Sequence, residues 1–317
     1  MHGSPIIGVT LGDPGSIGPE VLLKALSAES HPERYLIFGS KRALRDHAEK
    51  LAIGPPFDRI AIEDIDNVSA PYFGPRPKES ARASMAYLER AFEFLQQGRI
   101  NGLVTGPIQK ESWHLCGYNY PGQTEYCASK ANVSDFCMVM AAETLRIAVL
   151  STHMSLQDAL RFVRRDNIAQ KLRLIHCELK RLGFHQPKIA CAALNPHSGE
   201  AGAFGTEESI EIAPAIAALQ QEGIIVDGPI APEAIFRQAA ATGKWDIILA
   251  MYHDQAMIPI KLLHFDKCAN VTLGLPFVRT SPDHGTAFDI AGKGSADPGS
   301  MIYAMELAWD WTLKTQQ

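Results

Sequence analysis

Residues 35–52 read Tyr35-Leu36-Ile37-Phe38-Gly39-Ser40, then Lys41-Arg42-Ala43-Leu44-Arg45-Asp46-His47-Ala48-Glu49-Lys50-Leu51-Ala52. A short apolar run, of the length of one buried strand, passes at once into a helical pattern. The same succession recurs along the chain. Residues 6–11, 102–105, 146–151, 188–194 and 246–252 read as further buried strands. Residues 20–28, 78–98, 167–182, 206–222 and 300–313 read as helices. In 78–98, Met85, Leu88, Phe92 and Leu95 recur at steps of three and four, forming one apolar face. Strand and helix in alternation predict an α/β fold with mainly parallel sheets covered by helices.

Composition narrows the function. The chain has 317 residues, room for one large domain or two ordinary ones. Apolar residues make up 46% and charged residues 21%, which excludes disorder as the main state. The net charge of −5 makes a poor non-specific partner for nucleic acid or anionic membrane. No apolar run reaches the ~18 residues of a membrane span. The opening Met1-His2-Gly3-Ser4-Pro5 has no basic segment before an apolar one, so no secretory leader is expected. Six cysteines lie scattered with no C-x-x-C pair and read as reduced thiols of a cytoplasmic protein.

In open parallel sheets, ligands gather beyond the carboxyl ends of the strands. Three such ends carry a histidine. Thr152-His153 follows 146–151, Asn195-Pro196-His197 follows 188–194, and His253-Asp254-Gln255 follows 246–252. Three neutral imidazoles on rigid elements suit a borderline-soft divalent metal. Each alone reads equally well as a loop or capping residue, and their spacing has no helical ligand signature. His47, His176 and His185 read as surface or helix positions. Gly12-Asp13-Pro14-Gly15-Ser16-Ile17-Gly18-Pro19-Glu20 opens a helix, where backbone N–H groups suit an anion, although a plain tight turn fits as well. Thr105-Gly106-Pro107 is similar. Pro121-Gly122-Gln123-Thr124-Glu125 reads as an anion-holding turn or as a helix start capped by Thr124. Lys261, Asn270 and Arg279 suit an anionic, hydroxylated ligand, and each alone also reads as a solvated residue. The stretch 272–294 is long and glycine-rich, and its generic reading is an ordered surface loop.

Within it, His284-Gly285-Thr286-Ala287-Phe288-Asp289-Ile290-Ala291-Gly292-Lys293-Gly294 resembles the nucleotide-binding loop of the isocitrate and isopropylmalate dehydrogenases. Over most of its length the chain is similar to the 4-hydroxythreonine-4-phosphate dehydrogenase family. Leu194-Asn195-Pro196-His197 and Met251-Tyr252-His253-Asp254-Gln255 are the most specific blocks.

The resemblance implies two α/β/α domains with a cleft between them, as in the isocitrate dehydrogenases. We expect a cofactor-side domain over 1–125 plus 265–317 and a metal and dimerisation domain over 126–264. It implies a homodimer with shared active sites and a divalent metal on His153, His197 and His253. That donor set suits zinc, cobalt or nickel, with magnesium less favoured. It places a small anionic substrate against Gln123, Thr124, Lys261, Asn270 and Arg279. It places NAD, or NADP, against His284, Gly285, Thr286, Asp289 and Gly292. Lys261 and Asp254 are the expected catalytic residues, Lys261 in proton transfer and Asp254 in acid–base work or beside His253. The implied reaction is metal-dependent oxidation and decarboxylation of a β-hydroxy acid, 4-phosphooxy-L-threonine to 3-amino-2-oxopropyl phosphate. Threonate or erythronate 4-phosphate and cis-dihydrodiol carboxylates are alternative substrates. A metal-dependent aldolase or hydrolase without nicotinamide is a remoter reading.

The chain departs from the family pattern at three places. Gln123 stands where the family has His before Thr-Glu. Gln255-Ala256 replaces Gln-Gly, and Gly15-Ser16-Ile17-Gly18 replaces Ala-Gly-Ile-Gly. Gln123 can donate a hydrogen bond but cannot become cationic, so it bears on the substrate more than on the reaction.

Overall fold

The computed structural model describes residues 4–66, 68 and 72–316. Residues 1–3, part of the opening read above, lie outside them. In chain order the strands are β1 (Ile7–Thr10), β2 (Tyr35–Gly39), β3 (Ala61–Asp64), β4 (Gly102–Thr105), β5 (Cys137–Ala141), β6 (Arg146–Ser151), β7 (Lys188–Ala192), β8 (Ile225–Ile230), β9 (Ile247–Tyr252), β10 (Ala269–Leu273) and β11 (Val278–Pro282). The chain divides into two compact units, Met1–Ser134 with Leu275–Gln317, and Asp135–Gly274. Both divisions fall later than the expected 125 and 264. Pairing accounts for the second. All five residues of β10 register with β5, so the segment before Leu275 stays with the second unit.

In the first unit the strands run β3-β2-β1-β4-β11, every pairing parallel. All four residues of β1 and all four of β4 are buried. Central parallel strands are covered on both faces, so a continuous apolar run is what a strand of this kind requires. The helix Gly18–Ala28 buries Val21, Leu22, Leu23 and Leu26. Each such side chain contributes roughly 1.5–3 kcal/mol. Beyond β1 the chain turns at Gly12, whose φ is +73°. A Cβ there would lie 2.4 Å from the Pro107 carbonyl oxygen, so the loops after β1 and β4 approach closely only with glycine.

In the second unit the order is β10-β5-β6-β9-β7-β8. β5 pairs antiparallel with β10 and β6, and the remaining pairings are parallel. Met140, Ile147, Val149, Ile248, Ala250 and Ile260 belong to one buried apolar cluster.

Five strands escaped the sequence reading. β3 and β8 are edge strands, partly exposed and without an unbroken apolar run. β10 and β11 carry Asn270 and Arg279-Thr280-Ser281 at largely buried positions, which apolar patterning passes over. β5 is wholly buried, but Cys137-Met138-Val139-Met140-Ala141 has no period to separate strand from helix. His47 does lie on a helix, Lys41–Leu51, but it is buried there, with Nε2 3.1 Å from the Pro14 carbonyl oxygen. Burial pushes its pKa down to about 4. Among the described residues, no helix is long and apolar enough to cross a membrane.

Asp13 is 1% exposed and accepts the Gly15 N–H at 2.9 Å. Burial pushes its carboxyl up to about 6 from 3.8, against the lowering effect of Gly15 and Ser80. Between about pH 4 and 6 only the folded state holds this proton, so stability falls as pH rises through that window. Above pH 6 the cost is complete, on the order of 3 kcal/mol. Asp13→Asn carries no such cost. The stability of the variant minus that of the parent, from urea melts, should therefore grow from pH 4 to 6 and then level off. A difference independent of pH would contradict a protonated Asp13.

Candidate active site

In the first unit, β11 places Arg279 beside β4, and its side chain is 3% exposed. Nη2 donates to Thr105 Oγ1 at 2.6 Å and Nη1 to Thr124 Oγ1 at 3.0 Å. Thr105 closes β4, and Thr124 lies in the first turn of the helix Gln123–Lys130. That helix is preceded by Gly122 in an extended conformation, with no side-chain cap, so Thr124 is not the cap expected of it. Its hydroxyl accepts from the guanidinium instead. Gln123 donates Nε2 to the Gly106 carbonyl at 2.9 Å, which commits one of its two amide hydrogens to the backbone. Burial pushes Arg279 below its ordinary pKa, and Cys127 and Glu125 nearby oppose the shift. A guanidinium stays charged across the working range of pH. Burial pushes the neighbouring Cys127 thiol up to about 11, which keeps it unreactive. A buried guanidinium, two hydroxyls and the start of a helix are together suited to a phosphate or carboxylate.

In the second unit, β6, β9 and β7 are adjacent and parallel, so their carboxyl ends share one edge. His153 stands two residues after β6. His253 follows β9 directly and begins the helix His253–Leu263. Their rings lie 6.1 Å apart. His253 Nδ1 is 2.8 Å from Asp254 Oδ1, and His197 Nδ1 is 2.8 Å from Glu233 Oε1. A carboxylate at Nδ1 holds the proton there and leaves the Nε2 lone pair outward, the usual orientation of a metal-binding imidazole. The donor chemistry of these residues therefore fits a divalent cation. Among the described residues of one chain, no group of three His, Cys, Asp or Glu side chains is placed to hold a metal. His153 and His253 come together, whereas the three histidines do not form one set.

His197 sits in a left-handed turn after β7. Residues His197, Ser198, Gly199, Glu200 and Ala201 have φ of 52°, 56°, 79°, 41° and 52°. Each residue here that is not glycine costs roughly 1–2 kcal/mol. The buried Glu208 holds the approach to the turn. Oε1 accepts the backbone N–H of Leu194 at 2.9 Å and of Asn195 at 2.7 Å, and Oε2 accepts Asn195 Nδ2 at 3.0 Å. Burial by itself raises this carboxyl, but the donors from Asn195 and Leu194 bring it below the usual carboxylate range. Lys261 lies on the helix that His253 begins, its ammonium 5.2 Å from the Phe265 ring centre. Asn270, on β10, has a buried Oδ1 with no partner among the described residues.

The loop 284–294 belongs to the first unit. The Ile17 N–H donates to the Thr286 carbonyl at 3.1 Å. Gly292, at φ +71°, packs where a Cβ would lie 2.3 Å from the Phe73 ring. Gly285 has open space where a Cβ would stand. His284, Thr286 and Ala287 are half-buried, while Gly285 and Asp289 are exposed. A loop tied at its flanks, with room beside the backbone at Gly285, fits a flat polar ligand such as a nicotinamide dinucleotide.

Sequence reasoning missed Glu208 and Glu233. A glutamate on a helix carries no mark that separates it from a solvated one. Thr105 stood in a flagged strand-end motif, but its contact with Arg279 depends on the pairing of β4 with β11.

These features define a class: an α/β protein with a buried guanidinium held by two hydroxyls in one unit and paired imidazoles in the other. The model of the family "Pyridoxal phosphate biosynthetic protein PdxA" matches residues 30–308. The chain belongs to the PdxA family. It is 42% identical to 4-hydroxythreonine-4-phosphate dehydrogenase of Sulfurihydrogenibium sp. (strain YO3AOP1), over 95% of this chain and 97% of the relative. It is 37% identical to D-threonate 4-phosphate dehydrogenase of Pectobacterium atrosepticum, over 96% and 98%. A crystal structure of 4-hydroxythreonine-4-phosphate dehydrogenase from Klebsiella pneumoniae superposes with a TM-score of 0.87 at 36% identity, covering 98% of each chain.

Glu208→Gln replaces one accepting oxygen with an amino group. At least one of the donors at Leu194 and Asn195 then faces a donor. The loss should be about 1–3 kcal/mol in urea denaturation. A loss below about 0.5 kcal/mol would show that the turn does not depend on this carboxylate.

Proposed function

We propose that this PdxA-family dehydrogenase oxidises and decarboxylates 4-phosphooxy-L-threonine to 3-amino-2-oxopropyl phosphate. The buried Arg279, fixed by Thr105 and Thr124, carries this reading. A fully desolvated guanidinium beside two hydroxyls is what a doubly charged phosphate needs. The three relatives and structures named above are all dehydrogenases of four-carbon phosphorylated acids by name.

When bound, NAD or NADP accepts the hydride, and a divalent ion supplies Lewis acidity at the reacting oxygens. Zinc is the ion we favour on three imidazoles, ahead of cobalt, nickel or magnesium. The chain's own residues do the rest. His153, His197 and His253 would hold the ion through Nε2. Asp254 and Glu233 keep the Nδ1 protons of His253 and His197 in place. Arg279 and Thr124 bind and orient the phosphate, with Gln123 beside them, and Asn270 offers its buried amide to a substrate hydroxyl or ammonium. Lys261 takes the proton from the C3 hydroxyl as the C3 hydride departs. The product is a β-keto acid. Its C1–C2 bond breaks with loss of CO2, the electron pair passes into the carbonyl, and a proton returned to C2 completes the ketone. His284, Gly285, Thr286, Asp289 and Gly292 would line the dinucleotide.

Threonate 4-phosphate is a second reading. It differs at C2, with a hydroxyl in place of the ammonium. The 37% identity to the Pectobacterium enzyme supports it. We further propose a cytoplasmic homodimer. The apolar side of the helix His253–Leu263 supports the dimer: Ile258 and Leu262 are 61% and 80% exposed beside a groove of about 680 Å³. A second copy is the occupant that would complete an imidazole set one chain leaves incomplete. All six cysteines are free thiols, in keeping with a reducing compartment.

Purified protein with divalent metal and NAD should form NADH from 4-phosphooxy-L-threonine, and a chelator should abolish it. Turnover confined to threonate 4-phosphate would establish the second reading, and turnover of neither would sink both. Arg279→Met should lower kcat/KM by about 10–100-fold. Leu262→Asp should convert a dimeric mass in light scattering to that of one chain. A parent that already runs as one chain would exclude the homodimer.

A further inference from the structure

Glu20 and Lys24, one turn apart on the helix Gly18–Ala28, grip the end of the loop 284–294 from below. The Glu20 side chain is 0% exposed. Oε1 accepts the Ala296 N–H at 2.9 Å, and Oε2 accepts the Gly294 N–H at 3.3 Å. Lys24 Nζ donates to the carbonyls of the same two residues, at 2.9 Å for Gly294 and 2.6 Å for Ala296. The two charges close the circuit on each other at 2.8 Å. Gly294, which ends the loop, and Ala296 just beyond it thus have their N–H groups taken by the acid and their C=O groups taken by the amine.

A buried ion pair adds little net stability, because desolvation offsets the attraction. Two apolar side chains would serve the helix as well, but they could satisfy none of the four backbone groups. The loop needs outside support for a second reason. Ala287 stands at φ +39°, a conformation that a residue other than glycine keeps only where the surroundings over-determine it. Its other arm is tied to the same segment, through Ile17 and Thr286. Both ends of the span 286–296 therefore hang on residues 17–24.

We propose that Glu20 and Lys24 are positioning residues for the dinucleotide: they hold the 284–294 loop in its receiving shape without touching the ligand. This rests on the reading of that loop as the cofactor site. NAD affinity then depends on the pair, and affinity for the phosphorylated substrate does not.

The test titrates NAD and NADP into the purified full chain, following tryptophan fluorescence. Parent, Glu20→Gln, Lys24→Met and Lys24→Arg are compared. Hydrogen exchange over 284–296 and the KM of the phosphorylated substrate are measured alongside. We expect Glu20→Gln and Lys24→Met to weaken dinucleotide binding by at least about tenfold. Exchange at 284–296 should quicken, and substrate KM should stay within about twofold. Lys24→Arg, which keeps a cation with several donors, should recover much of the affinity. The Lys24 side chain is 25% exposed, so Lys24→Met keeps the test alive if Glu20→Gln fails to fold. Faster exchange with unchanged NAD affinity would overturn the proposal, as would equal weakening for NAD and substrate. A parent that binds neither dinucleotide would instead remove the cofactor reading itself, and the proposal with it.

Discussion

The constraint on which both units depend is the burial of parallel strands. A strand covered on both faces has little place for polar chemistry along its length, so most of that chemistry moves to the ends, with Arg279 inside the buried β11 as the exception. In the first unit, β1 is followed by Asp13 and β4 ends at Thr105. In the second, β6, β9 and β7 release His153, His253 and His197 at one edge because they are neighbours and parallel. Antiparallel β10 contributes differently. Asn270 lies within the strand, registered with Met140 of β5.

This constraint also decides what could be read without a structure. The strand-end histidines were legible because each follows an apolar run, and apolar runs are what buried parallel strands demand. Arg279 was legible as a candidate anion-binding residue, but not as a buried one. A buried arginine and a solvated one have the same letter, and only the pairing of β11 with β4 brings Thr105 to it. The resemblance to a known family placed Arg279 against the substrate, but did not show its burial or its contact with Thr105. His47 marks another limit of pattern reading. Its helical setting was clear, but its burial depends on which helix face meets the loop at Pro14. The left-handed turn at 197–201 was invisible, since only one of its five residues is glycine and the Glu208 contacts that hold it lie beyond the turn.

The two units hold their loops by the same device. In each, a buried glutamate accepts two backbone N–H groups from a segment with residues at positive φ close by: Glu208 at Leu194 and Asn195, Glu20 at Gly294 and Ala296. Glutamate suits this work because one carboxylate accepts several donors from fixed directions. Its cost is desolvation, which is offset only when every donor is present. Such a contact is close to all-or-none. It stabilises one loop shape strongly and any neighbouring shape hardly at all.

That property separates the two loops from ordinary surface connections. A loop held by scattered weak contacts can relax by degrees, and the position of a side chain on it drifts accordingly. A loop held by a desolvated carboxylate keeps its shape until the whole contact is lost. His197 gains by this arrangement, because an imidazole whose Nδ1 is fixed by Glu233 still needs its backbone fixed to aim Nε2. The strain at 197–201 is therefore the expected companion of the buried Glu208. A relaxed turn would not need so demanding an anchor, and an anchor this demanding would add little to a turn that held its own shape.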